Sequence, residues 1–198
     1  MSNSLKLILS LCDYSGTWCE PFRRAGYNVK QYDLKNGEDI VLLKKPKEKV
    51  FGILAAPPCT HLANSGARHF KAKGDKALKE GLALVDACLR IVYATQPAFW
   101  CMENPIGRLI HYIGRWQHIF NPCDFAGYLS GAEAEAEQYT KKTCLWGKFT
   151  MPEKKPLPPE LGSKMWRLYG GKSERTKTMR SMTPKGFAEA FFLANGND

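Results

Sequence analysis

Four short segments of the sequence carry side chains suited to binding or catalysis, and the most reactive of these side chains is Cys59. This cysteine follows Pro57 and Pro58. A double proline imposes a stiff, non-helical turn, which holds the thiol at a fixed angle at the edge of a pocket. The other three segments are Asp13 to Gly16, Asp33, and Glu103-Asn104-Pro105. From the residues alone, a buried structural cysteine remains the alternative for Cys59.

The spacing of the reactive residues disfavours three other chemistries. A phosphate-binding cysteine loop needs an arginine at its far end, but the position where it would stand is Ser65, and the first arginine is Arg68. No order of Ser, His and Asp residues indicates a hydrolase triad. The four histidines (His61, His69, His111 and His118) lack the tight spacing of metal ligands, so we expect no metal site.

All four segments fall at the ends of predicted strands. Short apolar runs alternate with helical patterns, which predicts a parallel sheet covered by helices in one domain over residues 1–198. The predicted strands are Leu5 to Cys12, Asn28 to Asp33, Val50 to Ala56, Ala98 to Met102 and Thr143 to Phe149. The predicted helices are Glu20 to Ala25, Lys73 to Gln96 and Pro184 to Ala194, with no regular structure expected between Met151 and Pro184. Ligands bind at the carboxyl ends of strands in such sheets, so the four segments should share one site.

Positive charge is concentrated late in the chain. The formal net charge is +10, and residues 141–185 contain twelve Lys or Arg residues against three Glu residues, with Trp146, Trp166 and Tyr169 interleaved. A solubilising surface is one interpretation of this segment. Its basic and aromatic character within a loop-rich region favours contact with nucleic acid.

The cysteines and the apolar runs indicate a cytoplasmic protein. Seven cysteines are scattered without a Cys-x-x-Cys pair, which argues against a disulfide framework and favours a reducing compartment. No apolar run approaches the length of a membrane span, and Met1 to Lys6 lacks the features of a signal peptide. We therefore expect no membrane association, and nothing indicates an obligate protein partner.

Two of the segments resemble the catalytic motifs of the DNA (cytosine-5) methyltransferases. Ala56 to Gly66 resembles their proline-cysteine loop, and Glu103-Asn104-Pro105 resembles their second catalytic motif, in the same order and spacing. Leu11 to Tyr27 is similar to their first cofactor motif, and Gly37 to Ile40 is similar to their G-D-I segment. Arg180 to Ala190 is similar to their last motif, so the resemblance extends from about residue 7 to residue 194.

The resemblance implies a Rossmann-like, S-adenosylmethionine-dependent methyltransferase sheet with helices on both faces. Cys59 would be the nucleophile that adds to carbon 6 of cytosine, and Glu103 would stabilise the adduct at N3 and the exocyclic amine. The substrate would be duplex DNA with the target base flipped out of the stack. The implied cofactor residues are Cys12, Asp13, Ser15, Gly16, Thr17, Trp18, Asp33, Leu34, Asp39, Pro57, Met182 and Thr183. The implied substrate residues are Pro58, Asn64, Ser65, Asn104, Pro105, Lys142 and Thr143.

The chain departs from the family pattern at several positions. Tyr14 stands at the first glycine of the cofactor loop, which leaves Ser15 and Gly16 for the close backbone approach. Lys142 holds the place of the last arginine in a Q-x-R-x-R segment. A basic, loop-rich insertion at about residues 147–180 replaces the usual recognition domain. This predicts a short or relaxed sequence preference, in a compact form similar to methyltransferases of bacterial viruses.

Two alternatives remain open. The same chemistry would also suit RNA or a free cytosine nucleotide, since the recognition region is small. A catalytically silent nucleic-acid-binding protein of this fold is the alternative from another functional class. It is motivated by Tyr14 and by two altered polar positions, where Thr60 replaces the family's glutamine and Ala63 its serine.

Overall fold

The chain folds as an α/β protein around one six-stranded sheet, which confirms the predicted fold class. The computed structural model describes residues 2–163 and 173–196. The strands are β1 (Leu7–Leu11), β2 (Asn28–Tyr32), β3 (Val50–Ala55), β4 (Phe99–Pro105), β5 (His118–Phe120) and β6 (Thr143–Lys148). Their order across the sheet is β2-β1-β3-β4-β6-β5.

The sheet is mixed, which corrects the prediction of a parallel sheet. Strands β1 to β4 run parallel to one another, whereas β6 is antiparallel to both β4 and β5. The reason is the path of the chain. β5 ends at the edge where β4 ends, because Phe120 pairs with Thr143 and Pro105 also pairs with Thr143. The chain then enters β6 from that same edge and must run back.

Helices cover both faces of the sheet. The helices of the described residues are α1 (Glu20–Arg24), α2 (Phe70–Thr95), α3 (Ile110–Ile113), α4 (Gly131–Ala136), α5 (Glu174–Ser181) and α6 (Lys185–Asn195). Alternate residues of β1 point to opposite faces, as strand geometry requires. Leu9 joins a core with Val85 and Ile91 of α2, and Ile8 joins a second core with Phe187 and Phe191 of α6. In residues 2–163 and 173–196, no helix is long and apolar enough to cross a membrane.

The elements that carry a strong local pattern lie within a few residues of their predicted bounds. The prediction that no regular structure lies between Met151 and Pro184 is wrong for α5. This helix begins at the cap residue Ser173, whose hydroxyl accepts a hydrogen bond from the Thr176 amide at 3.2 Å. The short elements β5, α3 and α4 were not predicted, because segments of three to six residues carry no periodicity. Trp166 and Tyr169, with Lys164, Arg167 and Lys172, lie outside the described residues.

Candidate active site at the carboxyl edge of the sheet

The parallel strands end level with one another, so the loops that follow them share one edge of the sheet. Leu11, the last residue of β1, pairs with Tyr32 of β2 and with Ala55 of β3. Ala55 in turn pairs with Met102, one residue before Glu103. We refer to this side as the carboxyl edge. It brings together the four segments that the sequence predicts to be functional.

The loop after β1 is organised by a buried carboxylate. Asp13 accepts hydrogen bonds from the Ser10 hydroxyl, the Ser15 hydroxyl and the Gly16 amide, each at 2.9 Å. Gly16 has a φ of 67°, a left-handed conformation that favours glycine. Asp13 therefore shapes the loop, and Tyr14 lies half-exposed on its outside with the Lys35 ammonium 4.9 Å from its ring centre.

Trp18 does not line this edge. Its side chain is fully buried, 5.8 Å from the ring of Phe187 and 5.6 Å from the ring of Phe191. The sequence implied a cofactor contact for Trp18, but the structure assigns it to the aromatic core between α1 and α6. The aromatic residues that pack on Trp18 lie far from it in the sequence, so no local pattern indicated that its side chain is buried.

The loop after β2 presents two carboxylates and an apolar side chain to solvent. Asp33 caps the short turn Leu34–Asn36, where one of its oxygens accepts from the Lys35 amide at 2.9 Å. Asp39 makes the equivalent bond with the Val41 amide, also at 2.9 Å. In each carboxylate, one oxygen thus accepts a hydrogen bond from the main chain of its own turn. The Leu34 side chain between them is 74% exposed, so it offers an apolar surface next to the two acids.

The loop after β3 places Cys59 at a turn that is tied to β4. The amides of Leu62 and Ala63 both donate to the Cys59 carbonyl at 2.9 Å, which bends the chain directly after the cysteine. The buried Asn104 side chain donates to the Pro57 carbonyl at 2.8 Å. The catalytic motif candidates are therefore connected by a direct hydrogen bond across 47 residues of sequence.

Further bonds join the segments that follow Cys59 and Glu103. The Asn64 amide donates to the Ile106 carbonyl, and the Arg108 amide donates to the Leu62 carbonyl, both at 2.9 Å. A Cβ atom on Gly107 would lie 2.1 Å from the Leu62 oxygen, so only glycine permits this approach. Asn64 and Ser65 are exposed at the start of the turn Asn64–His69. The two segments form one structural unit.

Glu103 is close enough to Cys59 to affect the pKa of its thiol. Burial raises the pKa of the Cys59 thiol, and the Glu103 carboxylate raises it further, while Lys141 and Arg180 lower it. Burial also raises the pKa of Glu103, with Lys141 opposing and Asp13 reinforcing that shift. The site therefore holds a half-buried thiol beside a carboxyl group that retains its proton more readily than an ordinary glutamate.

A narrow cleft beside Glu103 contains residues from four separate parts of the chain. Its lining comprises Glu103, Phe120, Lys141, Thr143, Thr183, Pro184 and Phe187. Thr143 and Thr183 were implied by the sequence as substrate and cofactor residues, and the structure places both here. Pro57 is buried, whereas Pro58 and Pro105 are at least partly exposed nearby. Cys12, Thr17 and Met182 are half-buried on the adjoining loops.

The lysine in the cleft is Lys141, whereas the family resemblance placed Lys142 in that role. Lys142 is exposed, and Lys141 is half-buried. Alternation along an extended segment is the signal that could have identified it, because Thr143 is buried and Lys141 lies two residues before it on the same side. Arg180 was also missed as a neighbour of Cys59, since its proximity arises only from the packing of α5.

Comparisons with known proteins give a structural likeness. No family model matches the chain, and no curated protein matches it. A solved structure from E. coli, described as a candidate DNA modification methyltransferase encoded within a prophage, aligns at 17% identity with a TM-score of 0.45. The alignment covers 72% of this chain and 46% of that protein, so this chain spans about half of its length.

Proposed function

We propose that this chain transfers a methyl group from S-adenosylmethionine to carbon 5 of cytosine in DNA, with Cys59 as the nucleophile. The observation that supports the proposal most directly is that the Cys59 loop is joined to the end of β4, which carries Glu103, by the Asn104–Pro57 hydrogen bond, so that the Glu103 carboxylate acts on the Cys59 thiol. A cytosine that accepts a thiolate at carbon 6 and a proton at N3 needs these two groups around one ring, in the same pocket.

Each group has a defined task in this reaction. The Cys59 thiolate attacks carbon 6 of cytosine, and the electrons of the ring double bond become available at carbon 5. Glu103, whose pKa is raised by burial, holds a proton at N3 and stabilises the negative charge that the addition places on the ring. Carbon 5 then bonds to the methyl group, whose former sulfur partner keeps the bonding electrons. Water takes the proton from carbon 5, and the electrons of that C–H bond restore the ring double bond as the Cys59 thiolate leaves.

The polar and apolar groups of the loops after β1 and β2 fit S-adenosylmethionine. The free oxygens of Asp33 and Asp39 suit the ribose hydroxyls and the adenine amine, and the exposed Leu34 suits the face of the purine ring. Gly16 has a left-handed backbone that lets the loop after β1 turn sharply behind Asp13. When bound, S-adenosylmethionine supplies an electrophilic methyl group on a sulfonium sulfur.

Positive charge on both sides of Cys59 supports a nucleic-acid substrate. Residues 60–74 contain Arg68, Lys71 and Lys73 and no carboxylate, and the Lys73 ammonium donates to the Thr60 carbonyl at 3.0 Å, directly after Cys59. On the other side, Lys141 and Arg180 act on the Cys59 charge. Phosphate contacts on both sides would offset the unstacking of a flipped cytosine.

The described part of the basic insertion supports a short or relaxed recognition sequence. Residues 149–163 lie along the domain instead of forming a separate unit, as three main-chain bonds indicate. The Leu157 amide donates to the Cys123 carbonyl, the Leu161 amide to the Gln138 carbonyl, and the Lys155 carbonyl accepts from the Gly127 amide, each at 2.9 Å. A segment held in this way has few side chains left to read base edges.

Transfer of tritium-labelled methyl groups to cytosine-containing duplex DNA tests the proposal. We expect 5-methylcytosine in the product, abolished by Cys59→Ala and retained by Cys123→Ala, which removes a buried cysteine outside the site. If only RNA or cytidine triphosphate became labelled, the proposed chemistry would stand, and the substrate would be RNA or the free nucleotide instead of DNA. Failure to bind S-adenosylmethionine, with nucleic-acid binding intact, would identify a catalytically silent binding protein.

A further inference from the structure

The side chain of Arg90, on α2, is bonded to the loop that carries Asp39. Its guanidinium donates to the main-chain carbonyls of Ile40, Val41 and Leu43 at 3.2, 3.1 and 2.9 Å, across 47 to 50 residues of sequence. Both terminal nitrogens take part, since one donates to Leu43 and the other to Ile40 and Val41. One side chain thus holds the main chain directly after Asp39 at several points.

This loop has few other attachments to the domain. Ile40 is the one buried side chain in residues 34–49, all of which the structure describes. The bond between the Leu42 amide and the Asp39 carbonyl, at 3.1 Å, is local and closes a turn without fixing that turn against the sheet. Arg90 can fix it, because α2 packs on the core through several buried residues.

We propose that Arg90 is a positioning residue for the methyl-donor site, and that it holds the turn at Asp39 so that the second carboxylate oxygen faces the adenine amine. This inference rests on the proposed function. The first carboxylate oxygen of Asp39 accepts from the Val41 amide at 2.9 Å, and Arg90 binds the carbonyl of the same Val41. The residue that orients the carboxylate is therefore itself held from α2.

The contact depends on the shape of the guanidinium as well as on its charge. Arginine carries its N–H donors on a rigid planar fork, so two nitrogens can bind separate carbonyls at once, whereas lysine has a single nitrogen. A loop that is held before the ligand arrives loses less conformational freedom on binding, which raises affinity. Loss of the Arg90 fork should therefore weaken donor binding without removing any group that touches the donor.

Calorimetry with S-adenosylhomocysteine, the donor without its methyl group, tests this role without nucleic acid or turnover. We expect Arg90→Met to raise the dissociation constant by about five- to twentyfold, since three hydrogen bonds of modest net strength are lost. Arg90→Lys should weaken binding nearly as much, because one ammonium cannot replace the fork. The matched control is Lys79→Met, which removes an exposed charge from the same helix and should bind like the wild type.

A double-mutant cycle with Asp39→Asn separates positioning from general destabilisation. Asparagine still accepts the bond from the Val41 amide but has no second carboxylate oxygen for the adenine amine. Arg90→Met should therefore weaken binding by less than about twofold in the Asp39→Asn background. A loss as large as in the wild-type background would overturn the inference, because Arg90 would then act through some other part of the protein.

Amide hydrogen exchange of the ligand-free protein provides a second readout. The amides of Val41, Leu42 and Leu43 are hydrogen-bonded within the turn, and they should exchange about tenfold faster in Arg90→Met than in the wild type or Lys79→Met. Unchanged exchange, or wild-type affinity in Arg90→Met, would overturn this inference alone. A wild type that bound no S-adenosylhomocysteine would refute the proposed function, and the inference with it.

Discussion

The side-chain amide of Asn104 donates to the main-chain carbonyl of Pro57 at 2.8 Å, and both residues are buried. Pro57 lies two residues before Cys59, and Asn104 directly follows Glu103. One hydrogen bond therefore sets the distance between the proposed nucleophile and its acidic partner. The register of β3 against β4 supports the same arrangement, because Ala55 pairs with Met102.

Loss of this bond should affect both stability and chemistry. We expect Asn104→Ala to lower the free energy of unfolding by about 1–3 kcal/mol, because the Pro57 carbonyl would lose its partner in a buried position. Methyl transfer should fall more than cofactor affinity. Urea unfolding and steady-state kinetics measure the two effects, with Asn28→Ala at an exposed position as the control. An unchanged unfolding curve would contradict this role for Asn104.

Glu103 should make the stability of the protein depend on pH in a predictable direction. Its pKa is raised by burial in the folded state, so the folded protein binds this proton more tightly than the unfolded chain. Stability attributable to Glu103 therefore falls as pH rises from the ordinary carboxyl range through the raised pKa. Glu103→Gln should be more stable than the wild type at neutral pH by about 1 kcal/mol for each unit of pKa shift.

That advantage of Glu103→Gln should vanish below about pH 4, where the carboxyl is protonated in both states. Thermal unfolding at a series of pH values measures it, and the exposed Glu38→Gln serves as the control. A constant difference across the pH range would show that the effect has another origin. The same variant should lose methyl transfer, since an amide cannot provide the proton.

Gly107 and Gly66 test how closely the segment after Glu103 approaches the segment after Cys59. We expect Gly107→Ala to destabilise the protein by about 1–3 kcal/mol through overpacking, because the new methyl group would collide with the Leu62 carbonyl. Gly66→Ala should be nearly neutral, since its nearest neighbour beyond the adjacent residues is the Thr60 oxygen at 4.0 Å. Chemical denaturation measures the free energy of unfolding of both variants. Similar losses of stability would contradict the close approach at Gly107.

Asp33→Asn tests the proposed cofactor pocket without disturbing its turn, because asparagine also caps such turns. We expect S-adenosylmethionine affinity to fall by about 1.5–3 kcal/mol, the usual contribution of a hydrogen bond to a charged group. Isothermal titration calorimetry measures the affinity, and Glu38→Gln nearby removes a charge outside the proposed pocket. Wild-type affinity in Asp33→Asn would exclude this aspartate from the pocket.

The basic stretch after Cys59 should bind DNA phosphates. Replacing Arg68 and Lys71 with glutamine should reduce the slope of log affinity against log salt by about 1.8 on duplex DNA, since each phosphate that a basic side chain neutralises adds about 0.9 to the slope. Fluorescence anisotropy with a labelled oligonucleotide measures this slope. Replacing Lys47 and Lys49 with glutamine removes the same charge at the opposite edge of the sheet. Equal effects of the two pairs would indicate a general response to net charge.

Much of the fold and part of the site were determined by local sequence. Apolar runs specify β1, β3 and β4, helical spacing specifies α2 and α6, and the prolines before Cys59 specify its turn. These features are local because side-chain period and backbone restriction act over a few residues. The order of motifs also placed Cys59 and Glu103 after neighbouring strands, and the level strand ends of a parallel sheet bring them to one edge.

Tertiary structure decided the rest, because the deciding interactions join residues far apart in the chain. Trp18 belongs to the core because α6 packs on it. The direction of β6 follows from the edge at which the chain enters it. Lys141, and not Lys142, lines the cleft with Glu103, where α5 presents the Arg180 carbonyl to its ammonium. Such interactions have no periodicity in the sequence, since only packing decides which side of an extended segment faces the cleft.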